Sequence, residues 1–224
     1  EQARTIDLDQ IEGERHPVIE LAKTNHLALL ERCMEEWEQK DIGSYTCTFK
    51  KQERIGGDLR NRQVIAVKFR PEPFSVAMAW KENPPTGDAL VYVAGKYGDK
   101  NGKSQMVVRP ANILLRKLVG GSVKRLPDCK TAMKNTLRPC TEFGFANSLR
   151  SLYDVYREGH DREECEDRYG GVAEIAGRQC VVLERYLTQD RPSYPAYKTL
   201  SYIDLEYLIP LRIDGYDRNG ELLC

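Results

Sequence analysis

No apolar run in this chain approaches the ~20 residues a bilayer-crossing helix needs. Charge of either sign is not in excess: Lys and Arg total 34, Asp and Glu total 34, and the formal net charge is zero. Nucleic-acid binders carry a basic excess or a basic face, so this balance argues against one. There is no Cys-x-x-Cys, and only three histidines accompany seven cysteines, which excludes the common zinc spacings and a dithiol redox pair. Gly120-Gly121-Ser122-Val123 lacks the second flanking glycine of a nucleophile elbow. The glycines at 56, 57, 95, 98 and 102 read as hairpin glycines, with no helix after them to cradle a phosphate. A Cys–His pair needs only to meet in space, and no local pattern marks one. Strand aromatics do not reproduce the basic and aromatic core of an RNA-reading sheet. The reading is a non-enzyme with no catalytic residue, no metal ligand set and no cofactor.

What is present is 224 residues, 41% hydrophobic and 30% charged, enough for one substantial core or two small ones. From Pro17 to Lys40, residues Ile19, Ala22, His26, Leu29, Leu30, Cys33, Met34 and Trp37 recur at three- and four-residue spacing. That predicts one helix with a single apolar face, with Pro17 in its first turn. His26 reads as a hydrogen-bonded core histidine in preference to a ligand, and Trp37 as packing.

At Gly43 the period switches to two. Tyr45, Cys47 and Phe49 alternate with Thr46, Thr48 and Lys50, and Gly56-Gly57-Asp58 turns the chain into Gln63–Phe69. Arg70-Pro71-Glu72-Pro73 breaks that strand. Phe74, Val76, Met78 and Trp80 then place large apolar groups on one face, and Ala89–Gly95 and Gln105–Arg109 follow. Five strands with short connections predict an antiparallel meander.

Asn112–Val119 reads as a short helix with an apolar side. Gly120–Arg138 is basic, polar and irregular, long enough for a functional or mobile loop. A local basic patch at Lys117, Lys124, Arg125, Lys130 and Lys134 reads as solvated in preference to a nucleic-acid contact. A second helix carries Phe143, Phe145, Ala146, Leu149, Leu152, Tyr153 and Tyr156 and ends near Gly159. His160-Asp161 read as capping chemistry at that end. Glu163, Glu164, Glu166 and Asp167 lack the spacing of a calcium loop and read as a solvated acidic turn. Strands return at Val172–Ala176 and Cys180–Leu187. Thr199–Leu223 reads as three strands and two tight turns, with Pro210 at a strand start and Asn219-Gly220 in a hairpin turn. With no repeat and no linker, residues 17–224 are expected to form a single α+β domain after an N-terminal extension of residues 1–16.

Cys129 and Cys140 flank a polar, Pro-containing loop, and Cys165 and Cys180 flank a short stretch before a strand. Both pairs are candidate local disulfides of an oxidising compartment. The alternative is buried thiols, the reading preferred for Cys33 and Cys47. The chain does not begin with Met, so a processed chain with its signal peptide removed is expected. Glu221–Cys224 stops within a strand, so the natural protein is expected to continue.

Two readings of the apolar sheet face stay open. Phe69, Phe74, Val76, Met78, Trp80 and Tyr92 either line a cavity for a lipophilic ligand or fill an ordinary core under the helices.

The order helix, meander, helices, second meander, ending in Tyr202-Ile203-Asp204, Ile209-Pro210-Leu211-Arg212 and Tyr216–Gly220, resembles the bacterial LolA/LolB-like superfamily of lipoprotein carriers. Within it the chain is similar to the family catalogued as domain of unknown function 1571. That resemblance rests on Tyr45–Gly57, Lys68–Val76, Val91–Gly95 and Thr141-Glu-Phe-Gly144, and it covers the chain from about residue 20 onward. It implies an incomplete antiparallel β-barrel, a curved sheet with helices packed in its concave face. It also implies an exported protein of the periplasm or cell envelope that holds a lipid or lipoprotein acyl chain in the apolar cavity. The alternative is a periplasmic protein-interaction or envelope-sensor module with a filled core, whose partner is an envelope protein. No nucleic acid and no transmembrane segment are expected.

Overall fold

The computed structural model describes residues 4–5 and 17–224; the rest of the expected N-terminal extension lies outside the described residues. In chain order the elements begin with β1 (Arg4–Thr5), α1 (Pro17–Thr24), α2 (His26–Gln39), β2 (Tyr45–Lys51), β3 (Arg54–Ile55) and β4 (Asp58–Leu59). They continue with β5 (Gln63–Arg70), β6 (Ser75–Glu82), β7 (Gly87–Val93), β8 (Met106–Pro110), α3 (Ile113–Leu118), β9 (Val123–Arg125) and α4 (Lys130–Met133). After a 3-10 turn at Cys140–Glu142 come α5 (Phe145–Asp161), β10 (Cys165–Ile175), β11 (Arg178–Leu187), β12 (Lys198–Asp204) and β13 (Pro210–Tyr216). This is an α+β fold of antiparallel sheets and helices. The strands pair as two large sheets, and the chain divides into two compact units.

The first unit comprises the described residues up to Asp41 together with Phe145–Cys224. Its sheet has the order β1-β10-β11-β12-β13, antiparallel throughout. Val18, Ala22, Leu29, Leu30 and Cys33 from α1 and α2, and Leu149, Leu152 and Tyr156 from α5, bury against Val181, Leu183 and Ile203 of the sheet. Each Val, Leu or Ile side chain among them contributes about 1.5–3 kcal/mol when withdrawn from water. The expected Pro17–Lys40 helix is broken at Asn25. That residue is extended (φ −158°), and its side chain accepts the Ala28 N–H at 2.9 Å, capping a new helix. Gly159 does not end α5, which runs two residues further. Of the three closing strands, the last is only a bridge between Tyr216 and Leu222.

The second unit is Ile42–Gly144. Its sheet has the order β2-β5-β6-β7-β8-β9, also antiparallel, with the small β3–β4 hairpin turning at Gly56 and Gly57, both at positive φ. The expected meander is therefore present. The basic stretch after Gly120 is not wholly irregular, because Val123–Arg125 pairs with β8 at the sheet edge and Lys130–Met133 is helical.

Candidate functional site

The six residues expected to line a cavity come together on one face of the second unit's sheet. Register sets Tyr45, Phe69, Val76 and Tyr92 in one cross-strand row, and Cys47, Val67, Met78 and Leu90 in the next. Phe69, Val76 and Met78 are buried, whereas Phe74, Trp80 and Tyr92 are half-buried around them. Phe69 meets Phe74 edge-on at 5.4 Å, and Phe74 meets Tyr92 at 6.0 Å, separations at which aromatic pairs attract. Phe143 lies 6.0 Å from Phe69 and 5.4 Å from Phe49. Trp80 donates its indole N–H to Gln63 Oε1 at 2.7 Å, so its polar edge is satisfied without water.

On the same unit, α3 turns its apolar residues outward. Asn112 caps it by accepting the Leu115 N–H at 3.0 Å. Arg116 ties it to the sheet through the Pro110 carbonyl and Asp88 Oδ2, while Arg109 takes Asp88 Oδ1 at 2.6 Å. Ile113, Leu114 and Leu118 are nonetheless 64%, 78% and 83% exposed. The helix was legible in the sequence; its outward apolar side was not, because period reveals a face and not what covers it.

The first unit holds a polar cluster that sequence reading missed. Asp167 Oδ2 is bonded to His160 Nε2 at 2.8 Å, and its Oδ1 accepts from the Cys165 thiol at 3.2 Å. His26 Nδ1 lies 3.9 Å from Asp167 Oδ2 and 3.3 Å from the Tyr156 hydroxyl. His26 Nε2 faces the Ala22 carbonyl at 2.8 Å. A carbonyl only accepts, so Nε2 carries the proton and Nδ1 keeps its lone pair. Burial pushes the His26 pKa down, against the pull of Asp167. Beside the cluster, Arg185 is 1% exposed, opposite Asp167 in register and 4.9 Å from the Tyr156 ring. It donates to Thr199 Oγ1 at 2.9 Å, and its Nε and Nη1 have no partner among the described residues.

The His160 side chain is thus not a cap, and the acidic stretch is only in part a solvated turn, since Glu163 and Glu166 are exposed but Glu164 and Asp167 are not. Cys165 and Asp167 begin β10, and Glu164 is gripped by Arg191 through both carboxylate oxygens and by the Tyr194 hydroxyl at 2.7 Å. His26 is buried, as expected, and both of its ring nitrogens have hydrogen-bond partners. His160, Cys165 and Asp167 bring three potential metal-ligand atoms within 4.8 Å of one another. They are not arranged for nucleophilic attack. Burial, reinforced by Asp167, raises the Cys165 pKa, and the carboxylate stands between thiol and imidazole instead of behind the imidazole.

The expected disulfides are absent, and all seven cysteines are free thiols. Cys165 pairs with Leu187 and Cys180 with Ala173, so the two lie at opposite ends of the β10–β11 ladder. Eight residues of strand at ~3.3 Å each separate them by roughly 25 Å, against the 4.4–6.8 Å between Cα atoms that a disulfide spans. Cys129 is the N-cap of α4, while the Cys140 thiol lies 4.0 Å from Met106 Sδ in the aromatic cluster. Burial pushes the Cys140 thiol up to about 11 and Cys33 to about 12.

Compared with known proteins, residues 42–221 match the family model described as "Protein of unknown function (DUF1571)". No curated protein matches the chain. Among solved structures, the chain is similar to an uncharacterized conserved protein from Thermus thermophilus, at 12% identity and a TM-score of 0.43, covering 86% of this chain and 80% of that one. It is similar to a putative outer membrane lipoprotein-sorting protein domain from Vibrio parahaemolyticus, at 12% identity and 0.34, with coverages of 86% and 75%. It is also similar to a LolA superfamily protein from Nitrosomonas europaea, at 10% identity and 0.28, with coverages of 86% and 74%.

Proposed function

This chain belongs to the DUF1571 family, and we propose that it is an exported, non-catalytic protein of the periplasm or cell envelope that meets a lipid surface and holds an acyl chain. The observation that carries this reading is α3, where Ile113, Leu114 and Leu118 stand in solvent. Exposed apolar groups at this density mark an interaction surface. The charge around them favours an anionic one. From Arg109 to Arg138 the chain carries eight Lys or Arg and one acid, Asp128, although the whole chain is neutral. A short apolar helix beside Lys117, Lys124 and Arg125 matches the interface of an anionic bilayer, with leucines among acyl chains and lysines at headgroups.

The acyl chain itself would lie on the aromatic face, against Phe69, Phe74, Val76, Met78, Trp80 and Tyr92. The half-buried Phe74, Trp80 and Tyr92 support this, because a wholly filled core would bury them. Residues 17–224 would then act as one functional domain built as an incomplete barrel, with acyl burial contributing ~25 cal/mol per Å2.

Co-sedimentation with phosphatidylglycerol vesicles tests the membrane contact. Binding is expected for the unaltered chain and should be lost in Leu114→Glu/Leu118→Glu, whose stability should stay within ~0.5 kcal/mol because both positions are exposed. Equal binding by the double variant overturns the reading. Native mass spectrometry of the purified chain should find acyl species, and their loss in Trp80→Ala would place them on the aromatic face.

A further inference from the structure

We propose that His160, Cys165 and Asp167, completed by His26, form a binding site for a divalent transition-metal ion of the zinc class. The four side chains come from three elements: His26 opens α2, His160 lies in the last turn of α5, and Cys165 and Asp167 open β10. Their potential donor atoms are two imidazole nitrogens, one sulfur and one carboxylate oxygen, the mixed set that zinc accepts in tetrahedral geometry. The three outer ligand atoms lie within 4.8 Å of one another, and His26 Nδ1 is 3.9 Å from Asp167 Oδ2. Ligand atoms about 2.0–2.3 Å from a tetrahedral ion stand roughly 3.3–3.8 Å apart, so the His160–Asp167 contact would open slightly while the wider separations in the cluster, that of His26 included, close.

Two further observations separate this cluster from a chance gathering of polar groups. The first is His26, only 3% exposed, whose Nε2–H is held by the Ala22 carbonyl, leaving an Nδ1 lone pair that faces the Tyr156 hydroxyl and lies 3.9 Å from Asp167 Oδ2. Metal-ligating histidines are oriented in this way, by a carbonyl or carboxylate on the opposite ring nitrogen. The second is Arg185, buried, with two N–H groups that have no partner among the described residues, and within electrostatic reach of both Cys165 and Asp167. Its charge opposes a dication, but the thiolate and carboxylate together offset the ion, and its free N–H groups can serve as an outer hydrogen-bonding layer. His160 is part exposed, which provides an entry path.

The exchange balances without an oxidant. The Cys165 S–H bond breaks, its proton goes to solvent, and the sulfur lone pair binds the ion. The His160 ring gives up the Nε2 proton facing Asp167 and ends with a single proton, at Nδ1, freeing the Nε2 lone pair. Asp167 exchanges two accepted hydrogen bonds for one metal bond, and His26 Nδ1 turns from the Tyr156 hydroxyl to the ion. Cys165 releases one proton for each ion bound.

The full chain, stripped with a chelator and kept reduced by a phosphine, would be titrated with Co2+ and then Zn2+. One equivalent of Co2+ should bind with a thiolate-to-cobalt charge-transfer absorption, and Zn2+ should displace it with release of the bound Co2+. Cys165→Ser should lose the band while Cys129→Ser keeps it. His160→Ala should weaken binding by about tenfold or more with an unchanged circular dichroism spectrum and unfolding midpoint. The proposal is overturned if the folded chain shows no band, if Cys165→Ser retains it, or if His160→Ala binds within about twofold of the unaltered chain.

Discussion

The imidazole of His160 and the carboxylate of Asp167 meet at 2.8 Å across the turn that closes α5 onto β10. Nothing in the spacing of the two residues requires it. The contact follows from how closely the helix end approaches the strand, and Gly159 sets that approach. A Cβ at position 159 would stand 2.9 Å from Cys165 Cβ and 3.0 Å from Leu187 Cδ2.

Gly159→Ala therefore sets two effects against each other. In an open helix the change gains up to about 1 kcal/mol of helix propensity. Here the Cys165 Cβ is fixed to its backbone and cannot swing aside, so overpacking of about 1–3 kcal/mol should win. Urea unfolding should give a lower midpoint at unchanged slope. A higher midpoint would mean that the helix end yields and the close approach is not enforced.

Glu164 makes stability pH-dependent. The Arg191 hydrogen bonds, opposed by burial and helped by Tyr194, lower its pKa from an ordinary 4.5 to about 2. A carboxylate with a depressed folded pKa stabilises fully above its unfolded value and loses that contribution as pH falls through the folded one. Glu164→Gln should thus be less stable than the unaltered chain at pH 6. The difference should shrink between about pH 4.5 and pH 2. Unfolding midpoints across that range would show it, and a pH-independent gap would contradict the assignment.

Asp204 is 1% exposed and holds four hydrogen bonds. Two come from Arg178, at 2.5 and 3.0 Å, and two from the backbone N–H groups of Glu206 and Tyr207. Asp204→Ala leaves the turn after β12 uncapped and strips Arg178 of its buried partner. A cost of about 3 kcal/mol or more is expected, measured by denaturant unfolding. Asp204→Asn, which can still accept from the turn, should recover part of it.

Seven thiols should titrate in denaturant without any reductant, because every cysteine is free. In the native chain the buried Cys33 and Cys180 should resist alkylation, since a thiolate is needed and burial raises both to about 12. Fewer than seven thiols in the denatured chain would reinstate a disulfide.

Much of the fold was legible because it rests on local backbone geometry. The alternation through Tyr45–Lys51, Gln63–Arg70 and Ser75–Glu82 reports strands whose side chains point alternately, and β2, β5 and β6 appear there. The large apolar residues at 69, 74, 76, 78, 80 and 92 were expected on one face and meet on one. The break at Asn25 was missed because apolar period continues through it, while the capping bond to Ala28 depends on a single side chain. The polar cluster was missed for a different reason: His26 and Asp167 are far apart in the chain, and no spacing rule joins them.

The sequence by itself determined the α+β class, the strand runs, the two amphipathic faces and the family, because side-chain period and local motifs are properties of neighbouring residues. Only the tertiary structure decided the partners of the cysteines, the outward turn of α3 and the assembly of His26, His160, Cys165 and Asp167. Those depend on strand register and on the close packing of α5 against β10, where one register position decides which thiol meets a carboxylate and which lies about 25 Å from its expected mate.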